Sequence, residues 1–280
     1  MEHNLLIIGK GYTGEAMLAL AWRMGWRARI TSRSDPDAAR FDDPALLEGV
    51  THLAVTAPPG PAGDPLWAAH GVALRAAPLA WVGYISTTGV YGDRKGEWVD
   101  ETSHPTPGQD RSRRRLEAEQ QWAELGMEVA VDIFRTGGIY GPGRSALDDV
   151  RSGTARRVIS PGHAFSRIHR DDIARAVLAA ASRHSPSGVR ILHLVDDDPS
   201  EQSDVTIEAA RLLGVEPPPA ISFEDAYAKM SEMGRTFWTE SRRVSSRLTK
   251  QALGIEWAYP TYREGLAGIL AEEGVERPAQ

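Results

Sequence analysis

The sequence predicts an α/β protein: a doubly wound parallel sheet with a smaller lobe formed mainly by its C-terminal part. Three observations predict it. Short apolar runs alternate with segments of helical spacing through the first half of the chain. Those runs are apolar throughout, as strands covered on both faces are. Glycines and prolines punctuate the junctions between them.

The elements follow in order. "NLLIIG" is a strand entering glycines, and "GEAMLALAWRMG" is a helix closed by Gly25. "RARITSRS" is a second strand, and "THLAVTAPPG" a third, stopped by Pro-Pro-Gly. "LAWVGYISTTGVYG" is another strand, "RRRLEAEQQWAELG" a helix ending at Gly126, and "MEVAVDIFRTGGIYGPG" a strand running into a loop. Beyond residue 140 the alternation loosens. "RDDIARAVLAAAS" is a helix with Asp171 and Asp172 as capping carboxylates at its positive end. "GVRILHLVDDDP" is a further sheet strand, "EQSDVTIEAARLLGV" a helix, and Pro217–Pro219 a stiff spacer. Residues 1–140 and 166–197 are therefore assigned to the sheet domain, and residues 141–165 and 198–280 to the smaller lobe.

Bulk properties exclude several classes. With 280 residues the chain holds one large domain, or a domain and a satellite lobe. A net charge of −6 with both signs interspersed gives no basic footprint for nucleic acid. The absence of cysteine removes disulfides, thiol catalysis and thiolate-bound metal, and no His, Asp or Glu grouping has ligand spacing, so no metal is expected. No apolar stretch approaches the ~20 residues of a membrane span. "MEHNLLIIGKG" has no cationic start, so the expectation is a soluble, cytoplasmic protein.

"IIGKGYTGEAM" places Gly9, Gly11 and Gly14 in a G-x-G-x-x-G pattern between a strand and a helix. In a Rossmann-type fold the first glycine permits the tight turn, the second lets backbone approach a pyrophosphate, and the third lets helix and strand pack closely. The helix N-terminus then offers N–H groups to the phosphates. The second strand ends "ITSRS", with Ser32 and Arg33 where an NAD site usually carries an acid. Arginine suits a 2′-phosphate, so NADP is favoured over NAD, although Arg33 could also be a solvated surface charge.

"STTGVYG", "DETSHPTP", "FRTGGIYGPGR" and "SRIHRDDIA" occur in the order and spacing of the extended short-chain dehydrogenase/reductase superfamily, the NAD-dependent epimerase/dehydratase group. The chain resembles that group over most of its length, and its fingerprint and C-terminal segment resemble the atypical members. The resemblance implies that Thr87 hydrogen-bonds the reacting oxygen. It sets Glu119 in register with a family glutamate, which puts Arg115 at the Lys position and Arg111 at the Tyr position of the catalytic Tyr-x-x-x-Lys pair. The implied cofactor set is Gly9, Gly11, Tyr12, Thr13, Gly14, Ser32, Arg33, Ala57, Pro58, Thr87 and Gly137, and the implied catalytic set is Thr87, Tyr91 and Arg115. The smaller lobe would then bind substrate.

Tyr91 and Lys95 also have Tyr-x-x-x-Lys spacing, in "GVYGDRKG". The pair needs a helix to bring its side chains to one face. Here Gly89, Gly92 and Gly96 interrupt, each costing ~1 kcal/mol relative to Ala in a helix, so a turn is expected and the spacing is a coincidence. Tyr91 itself lies past a strand end, either as a pocket residue able to donate a proton or as a structural ring under a turn; Tyr140 carries the same alternatives. Arg115 could hold cofactor as a fixed cation, yet "RSRRRLEAE" could equally be a solvated helix start. His169 is expected to be structural, and most of the eight tryptophans to be packing. Arg235, Arg242 and Arg243 would meet an anionic ligand, or pair with Glu232 and Glu240.

The expectation is an NADP(H)-binding oxidoreductase or nucleotide-sugar epimerase-like enzyme lacking the usual pair. The alternative is a non-catalytic NADP(H)-binding sensor or regulatory protein. The partner would be a small molecule such as a nucleotide sugar or carbonyl compound. A homodimer through the "RRRLEAEQQWAEL" helix is implied by analogy only.

Overall fold

The computed structural model describes residues 3–183 and 185–275. The chain runs β1 (Asn4–Ile8), α1 (Tyr12–Arg23), β2 (Arg27–Ile30), β3 (His52–Val55), α2 (Pro65–Ala76), β4 (Trp81–Thr87), β5 (Trp98–Val99), α3 (Asp110–Ala123), β6 (Ala130–Thr136) and β7 (Gly138–Tyr140). It continues with α4 (Ala146–Arg151), β8 (Arg157–Ile159), β9 (Arg167–His169), α5 (Arg170–Ala181), β10 (Gly188–Leu194) and α6 (Gln202–Leu213). Last come β11 (Ala220–Ser222), α7 (Phe223–Lys229), α8 (Glu232–Thr236), β12 (Arg243–Val244), α9 (Arg247–Leu253) and α10 (Tyr262–Val275).

Six strands form one parallel sheet in the order β10-β6-β4-β3-β1-β2. Successive residues of a strand point to opposite faces. Leu5 and Ile7 accordingly join a core with Met17 and Ala21 of α1 and Ile173 and Val177 of α5. Leu6 and Ile8 join the other, with Leu66 and Trp67 of α2 and Trp122 of α3. Burial on both faces is why the inner strands β1, β3 and β4 are largely apolar, whereas the edge strand β2 keeps Arg27 and Arg29 and is only partly covered. A third core, with Tyr140, Leu147, Val205, Tyr262 and Leu266, unites α4, α6 and α10.

Two features depart from the expected pattern. Helix α2 was not anticipated; Asp64 caps it by accepting from Leu66 N and Trp67 N, but its periodicity breaks where His70 leaves helical geometry beside Gly71. Beyond β2 the sheet continues only as a single parallel bridge between Thr31 and Ala39. Helix α5 is capped by the His169 side chain, which accepts from Asp171 N, in place of the expected carboxylates. Asp172 instead reaches out to accept from Ala258 N and Tyr259 N.

Strand β1 lies between β2 and β3, so the chain reverses its direction of travel across the sheet there. In open α/β sheets such a switch point opens a crevice at the carboxyl ends of the strands. A buried ion pair stiffens the neighbouring ground: Arg135 of β6 reaches Glu119 of α3, with Nη2 2.7 Å from Oε2, and Ser86 of β4 also donates to Glu119. Removing one partner of a buried pair leaves an uncompensated charge. Glu119→Ala is expected to cost about 3–5 kcal/mol in denaturant unfolding, and Glu119→Gln, which keeps an acceptor, distinctly less.

Candidate functional site

The glycine loop is held from two sides. Gly9 leaves β1 with φ +106°, and a Cβ there would lie 2.8 Å from Thr56 Oγ1. That hydroxyl lies 2.9 Å from Ile8 O and 3.0 Å from Gly9 O, donating to these carbonyls. Across the loop, Thr31 Oγ1 accepts from Gly9 N at 2.9 Å and Thr31 O accepts from Lys10 N at 2.8 Å. A Cβ on Gly14 would lie 2.3 Å from Gly9 O and 3.1 Å from Ile30, whereas one on Gly11 would meet nothing within 4 Å. The three glycines thus differ: one turns, one packs, and one leaves an open approach. No side chain caps α1 at Gly11, so its first N–H groups face that approach without a side-chain acceptor. The residues present fit a dinucleotide diphosphate.

The flanking positions gather at the same edge. Ala57 N donates to Ile8 O at 3.2 Å, setting Ala57 and the exposed Pro58 beside Gly9 at the end of β3. Thr13 is buried at the start of α1, and the Tyr12 hydroxyl donates to Pro142 O at 3.0 Å. Ser32 Oγ accepts from Ser34 N and Asp35 N, which turns the chain after β2. Arg33 is exposed and makes no ion pair among the described residues. Asp35 pairs with Lys10, and that hydrogen bond holds its carboxyl below the usual carboxylate range.

Further along the carboxyl edge lies a cavity of about 360 Å³. Thr87 ends β4 at its wall, with Oγ1 accepting from Gly89 N at 3.1 Å, and Gly137 follows β6. Helix α3 contributes Arg111 and Ser112, β9 contributes Arg167, and the segment after α8 contributes Phe237, Trp238, Glu240 and Arg242. Arg111, which the resemblance matches to the family tyrosine, has its guanidinium 4.5 Å from the centre of the Phe237 ring. Arg115, which the resemblance matches to the lysine, does not line this cavity. Its Nη1 donates to Ile85 O at 2.6 Å, and its guanidinium lies 5.7 Å from the Tyr84 ring. Neither arginine can lend or take a proton near neutrality.

Tyr91 is placed otherwise than a proton donor requires. Its side chain is fully buried and absent from the cavity wall. The hydroxyl accepts from Arg135 Nη1 at 2.8 Å and lies 2.6 Å from His193 Nε2. His193 Nδ1 lies 2.8 Å from Ser245 O, which requires its proton there and makes Nε2 the acceptor of the Tyr91 hydrogen. Burial pushes the phenol up to about 12. The position therefore suits the structural ring under the turn, and Gly92 (φ +65°) and Lys95 (φ +52°) confirm that turn. Tyr140 is buried, with its hydroxyl 3.4 Å from Thr261 O. Of the lobe arginines, only Arg242 forms an expected pair, to Glu240 at 2.9 Å; Arg235 and Arg243 bond to backbone carbonyls. Sequence reasoning missed Thr31, Thr56 and Ser112, whereas Phe237 and Trp238 lie in "RTFWTESRRV", the segment that joins aromatics to the lobe arginines.

No described helix is long and apolar enough to cross a membrane, and the described residues contain no His, Asp and Glu group that could hold a metal. The doubly wound sheet, its glycine crevice and the third core define a Rossmann-type protein with the fold of the NAD-dependent epimerase/dehydratase group of short-chain dehydrogenase/reductases. The chain belongs to the same family as a functionally unknown conserved protein from Silicibacter pomeroyi, with 41% identity, a TM-score of 0.83, and 96% of this chain and 98% of that one covered. It is similar to the 3-diazoavenalumate denitrifying reductase of a Streptomyces species, 29% identical over 84% of this chain and 74% of that protein. The human epimerase family protein SDR39U1, solved with NADPH, shares the fold at 20% identity and a TM-score of 0.78, over 95% of this chain and 99% of that one. No protein-family model matches.

The glycine geometry separates stability from binding. Gly14→Ala is expected to lose about 1–3 kcal/mol in denaturant unfolding through overpacking. Gly11→Ala should leave stability unchanged while weakening dinucleotide binding in calorimetric titration. Asp196 supplies a pH test. It is buried, and burial raises it well above the usual carboxylate range against the opposing pull of Arg167 and of the Asp198 backbone N–H. Because the folded pKa lies above the unfolded value of about 3.9, ionisation costs the folded state. That penalty is absent below about pH 3.9 and accumulates as pH rises towards the folded value. Asp196→Asn is therefore expected to raise the melting temperature relative to the parent near neutral pH, with the gain shrinking to nothing in acid.

Proposed function

We propose that the chain is an NADP(H)-binding oxidoreductase or epimerase-like enzyme that works without the usual Tyr-x-x-x-Lys pair. The observation that carries this reading is the open approach at Gly11 on the same sheet edge as the Thr87 cavity. Backbone of Gly9, Gly11, Tyr12, Thr13 and Gly14 would hold the diphosphate, and Ala57, Pro58 and Gly137 would flank the dinucleotide. Ser32 and Arg33 would take the adenosine phosphate, with the neighbouring Asp35 charge offset by Lys10. Arg115 would serve as a fixed cation. A bound nicotinamide supplies hydride exchange. Thr87 orients the substrate oxygen, and the relatives named for NADPH and for a reductase support the class.

A second reading, a non-catalytic NADP(H) sensor, is favoured by one feature: Arg111 and Arg115 replace both proton-handling residues. Hydride transfer to any sugar nucleotide, ketone or aldehyde in a substrate screen would eliminate it. Titration with NADPH and NADH tests the nucleotide assignment. NADPH should bind more tightly, and Arg33→Ala should weaken it by about tenfold or more, the worth of a charge-assisted bond, while leaving NADH unchanged. Equal affinity for both nucleotides would overturn the NADP choice, and binding of neither would overturn the reading.

A further inference from the structure

We propose that the cavity takes a small aromatic carboxylate, its ring against Phe237 and Trp238 and its charge drawn by Arg111 and Arg167. The inference rests on the reading of this cavity as the substrate side of the nucleotide site.

The charge balance of the walls comes first. Three guanidiniums, Arg111, Arg167 and Arg242, face a single carboxylate, Glu240. Arg242 uses that carboxylate, at 2.9 Å, together with Gly92 O at 2.7 Å. Arg167 Nη1 meets only neutral acceptors: Phe165 O and Ser200 O, both at 2.9 Å, and Ser200 Oγ at 3.1 Å. The carboxyl that interacts most strongly with its charge, Asp196, is driven towards its neutral form by burial. Arg111 pairs with no carboxylate among the described residues and lies over the Phe237 ring. Two cations without fixed counter-charges in one cavity favour an anion, and their planar forks match a carboxylate.

The lobe side of the cavity is aromatic. Phe165 meets Trp238 edge-on at 4.9 Å, and Phe223 lies 5.5 Å from the same ring. Phe237 is left 51% exposed, with a guanidinium above it. Such faces offer a planar ligand offset or edge stacking beside a cation. Size then limits the ligand. A volume near 360 Å³ is at the low end of the ~300–1,000 Å³ of small-molecule sites, and it includes the Thr87 and Gly137 strand ends. That has room for one ring and its acid.

The test is calorimetric titration of the full chain, with and without saturating NADP, using benzoate, trans-cinnamate, their amides, UDP-glucose and inorganic phosphate. The aromatic acids should bind, the amides should lose about tenfold or more, and Arg111→Gln should reduce that difference. Trp238→Leu should weaken acid and amide alike. Thermal melts confirm folding of each variant; Arg111 is exposed, so its variant isolates the charge. Amides that bind as well as acids, a tighter UDP-glucose, a response to phosphate alone, or an unaltered Arg111→Gln would each overturn the inference. If NADP binds and no acid does, this inference fails and the nucleotide reading stands; if acids bind and NADP does not, the reverse holds.

Discussion

Everything at the carboxyl edge of the sheet depends on how the turn after β1 is held. A glycine turn in isolation is the most flexible backbone available. Here two threonines just past the neighbouring strands tie it down, Thr31 after β2 and Thr56 after β3, each through a side-chain oxygen. The clamp lies where the strand order reverses, so one set of hydrogen bonds both registers three strands and fixes the direction of α1. Gly14 completes it by letting α1 touch the turn itself. The open space at Gly11 is therefore a rigid feature, and preorganised backbone donors are what bind phosphates without an ordering cost.

A second polar knot joins the sheet to the C-terminal elements. Glu119 and Arg135 pair within it, Arg135 donates to Tyr91, and Tyr91 passes its hydrogen to His193. From there Thr249 Oγ1 accepts from His193 N, and Thr249 donates to Glu101. Four elements, α3, β6, β10 and α9, are thus linked by bonds whose loss would leave buried groups unpaired. Such a network is costly to open, and Tyr91 serves packing within it; its one loose end among these groups is Glu101 Oε2, a buried oxygen without a hydrogen-bond partner among the described residues. The same phenol held near a solvent-facing lysine would have the opposite chemistry.

The sheet was legible because its signals are local: apolar runs, a glycine fingerprint and punctuation by Pro-Pro-Gly. Helix α2 was not, since His70 and Gly71 break its period, although Asp64 and Pro65 announce its start. Asp171 and Asp172 looked like caps because the dipole rule is general, but a histidine one turn earlier supplies a competing acceptor. The cavity wall was the least legible part. Phe237 and Trp238 reach Arg111 and Phe165 across long sequence separations, and no periodicity reports such a meeting. Tyr91 and Lys95 show the converse: the interleaved glycines alone mark their spacing as a coincidence within a turn, and the positive φ angles of Gly92 and Lys95 agree.

Arginine at the two positions that the resemblance matches to the tyrosine and lysine changes what the cleft can do to charge. In the usual pair the ammonium lowers a phenol towards neutrality and the phenol moves a proton. Here the wall beside Thr87 offers hydroxyls that do not ionise near neutrality, guanidiniums that never deprotonate, and a carboxylate already tied to Arg242. Such a set can stabilise negative charge as it develops, because preorganised cations and donors in a partly dry site act strongly on an oxyanion. It has no group tuned to exchange a proton at pH 7. Within the proposed reading, the reactions that suit it are those whose product tolerates being left as an anion, or takes its proton from water reaching the cleft.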